Sequence, residues 1–189
     1  MRLIATILIL ASVAAATAAS AAEFSNVIHD KSSIVFVSKQ MGVPVDGKFR
    51  KFTARVAFDP SKPEAGKAQI EIDSASIDTG SEEADDEVVS KNWFNVKAFP
   101  TVKFVSSGVT ALGGGRYEVA GKMTIKGKTR DVVAPFAFKQ EGNNGQFEGA
   151  FSLKRLEYGI GEGPWSDTGT VADEVQVKFR FVVATAVKG

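Results

Sequence analysis

The sequence predicts an all-β protein whose antiparallel strands close into a barrel with an apolar interior. From residue 33 onward, apolar and polar residues alternate with a period of two in segments bounded by Gly, Pro, Asp and Asn. This is the pattern of strands with one buried face. Short turns join the segments with almost no helical pattern between them, which favours antiparallel neighbours over βαβ units. Most of the 14 phenylalanines fall on the apolar side of the alternation.

The first residues predict a secretory signal peptide over 1–22. Arg2 is followed by an apolar stretch over 3–13 and by small residues over 14–22, and cleavage after Ala21 or after Ala22 fits the preference for small residues there. The apolar stretch is too short to cross a hydrocarbon core of about 30 Å as a helix, and no later stretch approaches that length. We therefore expect an exported chain without a transmembrane segment, with residues 23–189 forming a single domain.

Composition excludes several classes of protein. The chain has no cysteine, so it can be neither a disulfide-stapled scaffold nor a lipoprotein anchored through a modified cysteine. It has 23 Lys and Arg residues, one of them Arg2 in the signal peptide, and 22 Asp and Glu residues, so the mature chain is formally neutral. A neutral chain argues against nucleic acid as a partner, since nucleic-acid binders concentrate positive charge against phosphates.

The alternation predicts about eight strands. They lie at 33–39, 49–59, 68–73, around Val102 and Phe104, and at 117–126, 132–138, 147–153 and 175–183. Turn signals separate the later ones: three glycines at 113–115, the hairpin candidate Lys126-Gly127-Lys128 and a polar stretch at 141–145. We therefore expect each strand to pair mainly with its neighbours in sequence.

One short helix is predicted near residues 80–97. Thr79 and Glu82 have the spacing of a capping box, and the acidic residues over 82–87 complement the helix dipole. Val89, Trp93 and Val96 recur at helical spacing, so one face of the helix can pack on the barrel or close one of its ends. The Phe-Pro pair at 99–100 ends the helix.

No arrangement of residues predicts catalysis or metal binding. The single histidine, His29, has no cysteine partner and belongs to no histidine cluster. The acidic run at 82–87 lacks the ligand spacing and central glycine of an EF-hand loop. The glycine-rich loop at 159–164 matches no phosphate-binding pattern, although its place in a long late connection suits a lid. We predict no catalytic residues, no metal and no covalent cofactor.

The alternation alone leaves two interpretations of the interior open. A barrel of eight strands is just wide enough either to be filled by its own side chains or to hold one small ligand. The phenylalanines therefore predict either a solid core or a pocket for a long apolar molecule.

Several segments, in order along most of the mature chain, resemble the YceI-like family of periplasmic proteins, which are also described as polyisoprenoid-binding. They are 33–36 (SIVF), 47–49 (GKF), 76–80 (SIDTG), 93–96 (WFNV) with Phe99-Pro100, 121–129 (GKMTIKGKT), Arg155, 158–160 (YGI) and 173–175 (DEV). The resemblance implies an extended, lipocalin-like, eight-stranded antiparallel barrel. It also implies a periplasmic location and a bound isoprenoid, such as a polyprenyl lipid or a quinone tail.

The chain departs from the family pattern at several polar positions. Family members often carry histidines where this chain has Lys39 or Gln40, Glu87 and Lys126, and an arginine near Val89. The roles of those residues are therefore not transferred to this chain.

The hypothesis of a lipid carrier assigns the interior apolar residues to the ligand. The predicted lining is Phe36, Phe52, Val56, Phe58, Ile70, Ile72, Val102, Phe104, Tyr117, Val119, Met123, Phe136, Phe138, Phe151, Phe179 and Phe181, with Trp93 and Phe94 closing one end. The predicted donors for a polar head group are Lys128, Arg130 and Arg155. Two alternatives stay open: a module with a filled barrel that interacts with an envelope partner or acts in a stress response, and an enzyme for a quinone-like substrate. The sequence leaves open whether the chain forms a homodimer.

Overall fold

The computed structural model describes residues 23–186, which form one antiparallel sheet of eleven strands with a single α-helix. The predicted signal peptide lies outside the described residues. The strands are β1 (Phe24–Val27), β2 (Ser33–Gln40), β3 (Val43–Phe49), β4 (Phe52–Ala57), β5 (Lys67–Asp73), β6 (Ile77–Asp78), β7 (Thr101–Gly113), β8 (Arg116–Ile125), β9 (Lys128–Glu141), β10 (Asn144–Lys154) and β11 (Glu174–Thr185), and the helix is α1 (Glu82–Val88).

The sheet is strongly curled. Its strand order is β4-β5-β7-β8-β9-β10-β11-β2-β3-β6, with β1 paired to β11. Only Arg50 and Lys51 separate β4, at one end of this order, from β3, the next-to-last strand at the other end. Two backbone hydrogen bonds of 2.9 and 3.1 Å between Phe24 and Phe58 also join β1 to the end of β4. The result is a barrel-like sheet whose alternate residues face one shared interior.

The predicted count of eight strands is wrong, because β1, β3 and β6 were missed. Strand β3 follows a two-residue hairpin turn at Met41 and Gly42, whose φ angles are 48° and 81°. Such turns are normally signalled by Asn-Gly or Asp-Gly, since methionine rarely adopts a positive φ. Pro44 and Gly47 then weaken the apolar alternation of β3. The predicted hairpin at 126–128 is confirmed, with φ angles of 49° at Lys126 and 74° at Gly127.

The helix is shorter than predicted and begins differently. It covers Glu82–Val88, and residues 89–99 continue as a series of hydrogen-bonded turns. The expected capping box does not form. Instead, Asp85 accepts hydrogen bonds of 2.7 Å from both the backbone N–H and the hydroxyl of Thr79. Trp93 and Phe94, from the turns after the helix, pack against the core.

Four glycines on the inner face of the sheet lie beneath phenylalanine rings from neighbouring strands. The pairs are Phe36 over Gly47, Phe104 over Gly121, Phe138 over Gly145 and Phe179 over Gly149. At Gly149, directly opposite Phe179 across β10 and β11, a Cβ atom would overlap both that ring and the carbonyl oxygen of Pro135. The missing side chains let the rings lie against the wall of the sheet instead of pointing at its centre.

Arg155 organises the long connection between β10 and β11. Its side chain is 1% exposed and lies 5.8 Å from the ring centre of Trp93. All five of its N–H groups donate to backbone carbonyls at 2.7–3.0 Å, and the acceptors are Ala172, Ile160, Gly161, Trp165 and Val171. Burial lowers the pKa of Arg155, and the charge of Asp173 opposes this shift. These hydrogen bonds hold the segments of the β10–β11 connection against one another.

We expect Gly149→Ala to destabilise the protein, because the new methyl group must displace the ring of Phe179 and the backbone at Pro135. Overpacking of this kind typically costs about 1–3 kcal/mol. Urea unfolding measures the loss. Gly108→Ala is the matched control, since a Cβ atom there meets no atom within 4 Å. Equal stabilities for the two variants would contradict the packing argument.

We expect Arg155→Lys to destabilise the protein by about 2–5 kcal/mol, because an ammonium group cannot satisfy five acceptors arranged around a planar fork. The measurement is the free energy of unfolding from urea titration. Arg180→Lys is the control: Arg180 is an exposed residue paired with Glu148 at 3.1 Å, and its replacement should change stability by less than about 0.5 kcal/mol. A small loss for Arg155→Lys would show that the carbonyl contacts are dispensable.

Candidate functional site

The inner face of the sheet lines a cavity of about 110 Å³ that is almost wholly apolar. Strands from all sides of the barrel contribute to it. The lining residues are Ile34, Val56, Ala57, Phe58, Lys67, Ala68, Ile70, Ile72, Phe104, Val109, Val119, Met123, Ala134, Phe136, Phe147, Phe151, Val177, Phe179 and Phe181. The lining has one charged residue, Lys67, which lies at the first position of β5.

A void of this size is unusual in a protein interior. Native cores pack like organic crystals and rarely leave gaps larger than one water molecule. One water needs about 10–15 Å³ of such space and two to four polar partners, and this lining provides almost no partners. Water therefore gains little by entering, whereas an apolar molecule loses its unfavourable contact with water there.

The inward glycines help to explain why the phenylalanines do not fill this space. The rings of Phe104 and Phe179 line the cavity and also rest on Gly121 and Gly149. Because each ring occupies the place of a missing glycine side chain, it lines the cavity without filling it. The many phenylalanines of this sequence therefore line the wall of the cavity without filling its centre.

Most of the predicted lining residues do face the cavity. They are Val56, Phe58, Ile70, Ile72, Phe104, Val119, Met123, Phe136, Phe151, Phe179 and Phe181. The others lie outside its lining: Phe36, Phe52, Trp93, Phe94, Val102, Tyr117 and Phe138. Tyr117 and Phe138 join Phe58 in an aromatic cluster with ring centres 5.1–6.5 Å apart. At the opposite end of the interior, the ring centres of Phe94 and Phe49 lie 6.1 Å apart, and those of Trp93 and Trp165 lie 5.6 Å apart.

Several cavity residues were missing from the predicted lining. They are Ile34, Ala57, Lys67, Ala68, Val109, Ala134, Phe147 and Val177. Simple alternation could have found those that share the inward parity of a predicted strand, such as Ala134 and Phe147. It could not have found Val109, because the pairing of β7 with β8 shifts register between Ser106 and Gly108. This bulge turns an odd-numbered residue inward on a strand whose earlier inward residues are even-numbered.

The predicted head-group donors do not line the cavity. The buried position of Arg155 and its five carbonyl contacts argue against that role, because no N–H group remains for a ligand. The Nζ atom of Lys128 lies 3.8 Å from Oε1 of Glu162. Arg130 donates a hydrogen bond of 3.3 Å to the carbonyl of Glu157. A hydrogen bond from Lys126 lowers the pKa of Glu162. These cations thus stabilise the connection between β10 and β11.

The described residues contain no group of three or more His, Cys, Asp or Glu side chains that could hold a metal ion. The acidic residues of α1 act within the protein: Asp85 holds Thr79, and Glu87 accepts a 2.8 Å hydrogen bond from the indole of Trp165. His29 packs against Phe52 with ring centres 5.6 Å apart. Within residues 23–186, no helix is both long and apolar enough to cross a membrane.

The sequence and the fold of this chain are similar to those of known proteins. The model of the YceI-like domain matches residues 26–183. A UPF0312 protein of Azotobacter vinelandii is 33% identical over 137 residues, which cover 69% of each chain. The crystal structure of BcnA from Burkholderia cenocepacia is 46% identical, with a TM-score of 0.82 over 83% of this chain and 99% of BcnA.

A more distant structure shares the same fold. It is a polyisoprenoid binding domain from Saccharophagus degradans, implicated in plant cell wall breakdown, with 13% identity and a TM-score of 0.66 over 88% of this chain and 100% of that domain. On the strength of the family match and the curated relative, the chain belongs to the YceI-like domain family.

Proposed function

We propose that this chain binds a long apolar isoprenoid-type lipid, such as a polyprenyl lipid or a quinone tail, and carries it through the periplasm. The single observation that carries the proposal is the apolar cavity of about 110 Å³ among the phenylalanines of the inner face. The polyisoprenoid binding domain of Saccharophagus degradans has the same fold, and the cavity of this chain has the chemistry that such a ligand requires.

Burial of apolar surface supplies the affinity. Each buried methylene group contributes roughly 0.8 kcal/mol, so a chain of several isoprene units binds well without polar contacts. The first units occupy the cavity between Phe104, Phe151 and Phe179. A longer chain extends toward the cluster of Phe58, Tyr117 and Phe138, whose rings then rotate to admit it.

The predicted signal peptide supports the periplasmic part of the proposal. The amino-terminal sequence has the three regions of a signal peptide, and an apolar lipid needs a protein shield to cross an aqueous compartment. A filled barrel that serves as an interaction module is the competing function, and lipid measurements separate the two.

We expect Ala134→Phe to weaken the binding of geranylgeraniol by about tenfold or more, because the new ring enters the cavity and removes the space for the lipid. Ala134 lines the cavity and is 3% exposed. Ala137→Phe is the matched control: it makes the same substitution on the exposed face of the same strand. The measurement is equilibrium binding of tritiated geranylgeraniol, with urea unfolding to show that both variants fold. Equal affinities for both variants would contradict the cavity as the binding site.

We also expect the native protein to carry its ligand. Protein purified from the periplasm of its own organism, extracted with organic solvent and analysed by mass spectrometry, should release a stoichiometric isoprenoid lipid. Protein that is repeatedly free of lipid and does not bind added geranylgeraniol would overturn the carrier function and favour the interaction module.

A further inference from the structure

A second, more polar cavity adjoins the apolar one on the outer side of the sheet. It is a groove of about 400 Å³ beside the start of β5 and the middle of β7. Its lining is Arg55, Val56, Ala57, Glu64, Ala65, Gly66, Lys67, Ala68, Gln69, Val105, Ser106 and Ser107. Four of these residues, Val56, Ala57, Lys67 and Ala68, also line the inner cavity. The two spaces therefore share a wall at the last residue pairs of the β4–β5 ladder, where Ala57 lies opposite Lys67.

The wall of the sheet is interrupted at this point. Strand pairing between β5 and β7 extends only as far as Gln69 opposite Val105. One residue further along, the backbone N–H of Ala68 donates to the hydroxyl of Ser106 at 2.8 Å, in place of a bond between two strands. The bulge of β7 lies in the same place, between Ser106 and Gly108. Small residues of the groove lining lie beside the interruption: Ala57, Ala65, Gly66, Ala68, Ser106 and Ser107.

The groove carries a net positive charge. Arg55 and Lys67 are exposed on the outer face of neighbouring strands. Since Arg55 is opposite Gln69 and Ala57 is opposite Lys67, the two cations are diagonal neighbours, a relation that spans about 7–8 Å. Neither takes part in the ion pairs formed within residues 23–186. Glu64 is the one acid in the lining, so the groove stays net positive.

We propose that this groove binds the anionic head group, a phosphate or diphosphate, of an isoprenoid whose chain lies in the apolar cavity. This inference rests on the proposed function and adds the place and chemistry of the head group. The chain enters through the interruption between β5 and β7. Arg55 and Lys67 then donate to the phosphate oxygens, and the hydroxyl protons of Ser106 and Ser107 are the neutral donors beside them.

The test compares two probes that differ only in the head group, geranylgeranyl monophosphate and geranylgeraniol. The wild-type protein should bind the phosphate more tightly by about tenfold or more, because charge-assisted hydrogen bonds form only with the anion. The double variant Arg55→Gln/Lys67→Gln should lose this preference, so that it binds the two probes with affinities within about twofold of each other. The matched control is Arg116→Gln/Lys178→Gln, which removes two exposed cations from other parts of the sheet and should keep the preference.

The outcomes separate the two proposals. If neither probe binds to the wild-type protein, the carrier function itself fails. If both probes bind with equal affinity, or if the preference survives Arg55→Gln/Lys67→Gln, only the head-group site is overturned. Inorganic phosphate, at the concentration of the probe, should not displace geranylgeranyl monophosphate. Displacement would identify a site for the free anion and overturn the assignment to a lipid head group.

The entrance has its own test. Ser107→Trp places an indole at the interruption and should slow the association of geranylgeraniol by about tenfold in stopped-flow measurements. Thr110→Trp, at an exposed position of the same strand, is the control and should leave the rate unchanged. An unchanged rate for Ser107→Trp would overturn the interruption as the entrance.

Discussion

The interior of this protein depends on one packing constraint, the pairing of inward phenylalanine rings with inward glycines. A curled sheet directs every second residue of every strand into the same space, and in this chain many of those residues are phenylalanines. At Gly149, opposite Phe179, the absence of a side chain lets the ring lie against the backbone. The same device at Gly121 places Phe104 against the wall, and a cavity remains between them.

The two ends of the barrel are closed by different chemistry. Near β1, the cluster around Phe58 and Tyr117 fills the interior with aromatic rings whose centres lie close together. At the other end, Arg155 gathers the carbonyls of the connection between β10 and β11, and Trp93 packs beside its guanidinium. Because both ends are occupied, the side of the sheet is the natural place for an opening. The interruption at Ala68 and Ser106 lies on that side and adjoins the cavity.

Some charged residues form contacts within the protein, whereas others are free to contact a ligand. Lys126 and Lys128 meet Glu162, and Arg155 is wholly engaged by carbonyls. A cation that already satisfies internal acceptors has little to offer a ligand, since each new contact would break an existing one. Arg55 and Lys67 have no such internal partners among the ion pairs of the described chain, which is why the more informative polar surface lies beside β4 and β5.

The sequence by itself determined the all-β class, the inward position of residues such as Phe104 and Phe136, the hairpin at Lys126 and the family resemblance. Each of these depends on local alternation, turn chemistry or motif order. Only the tertiary structure decided that Val109 faces inward, since a bulge reverses parity without changing composition. It also decided that Arg155 is buried. The sequence does not show whether an arginine side chain is exposed to water or donates to five backbone carbonyls. The strand count and the position of the polar groove likewise depend on contacts between residues that are distant in sequence. No local sequence pattern predicts such contacts.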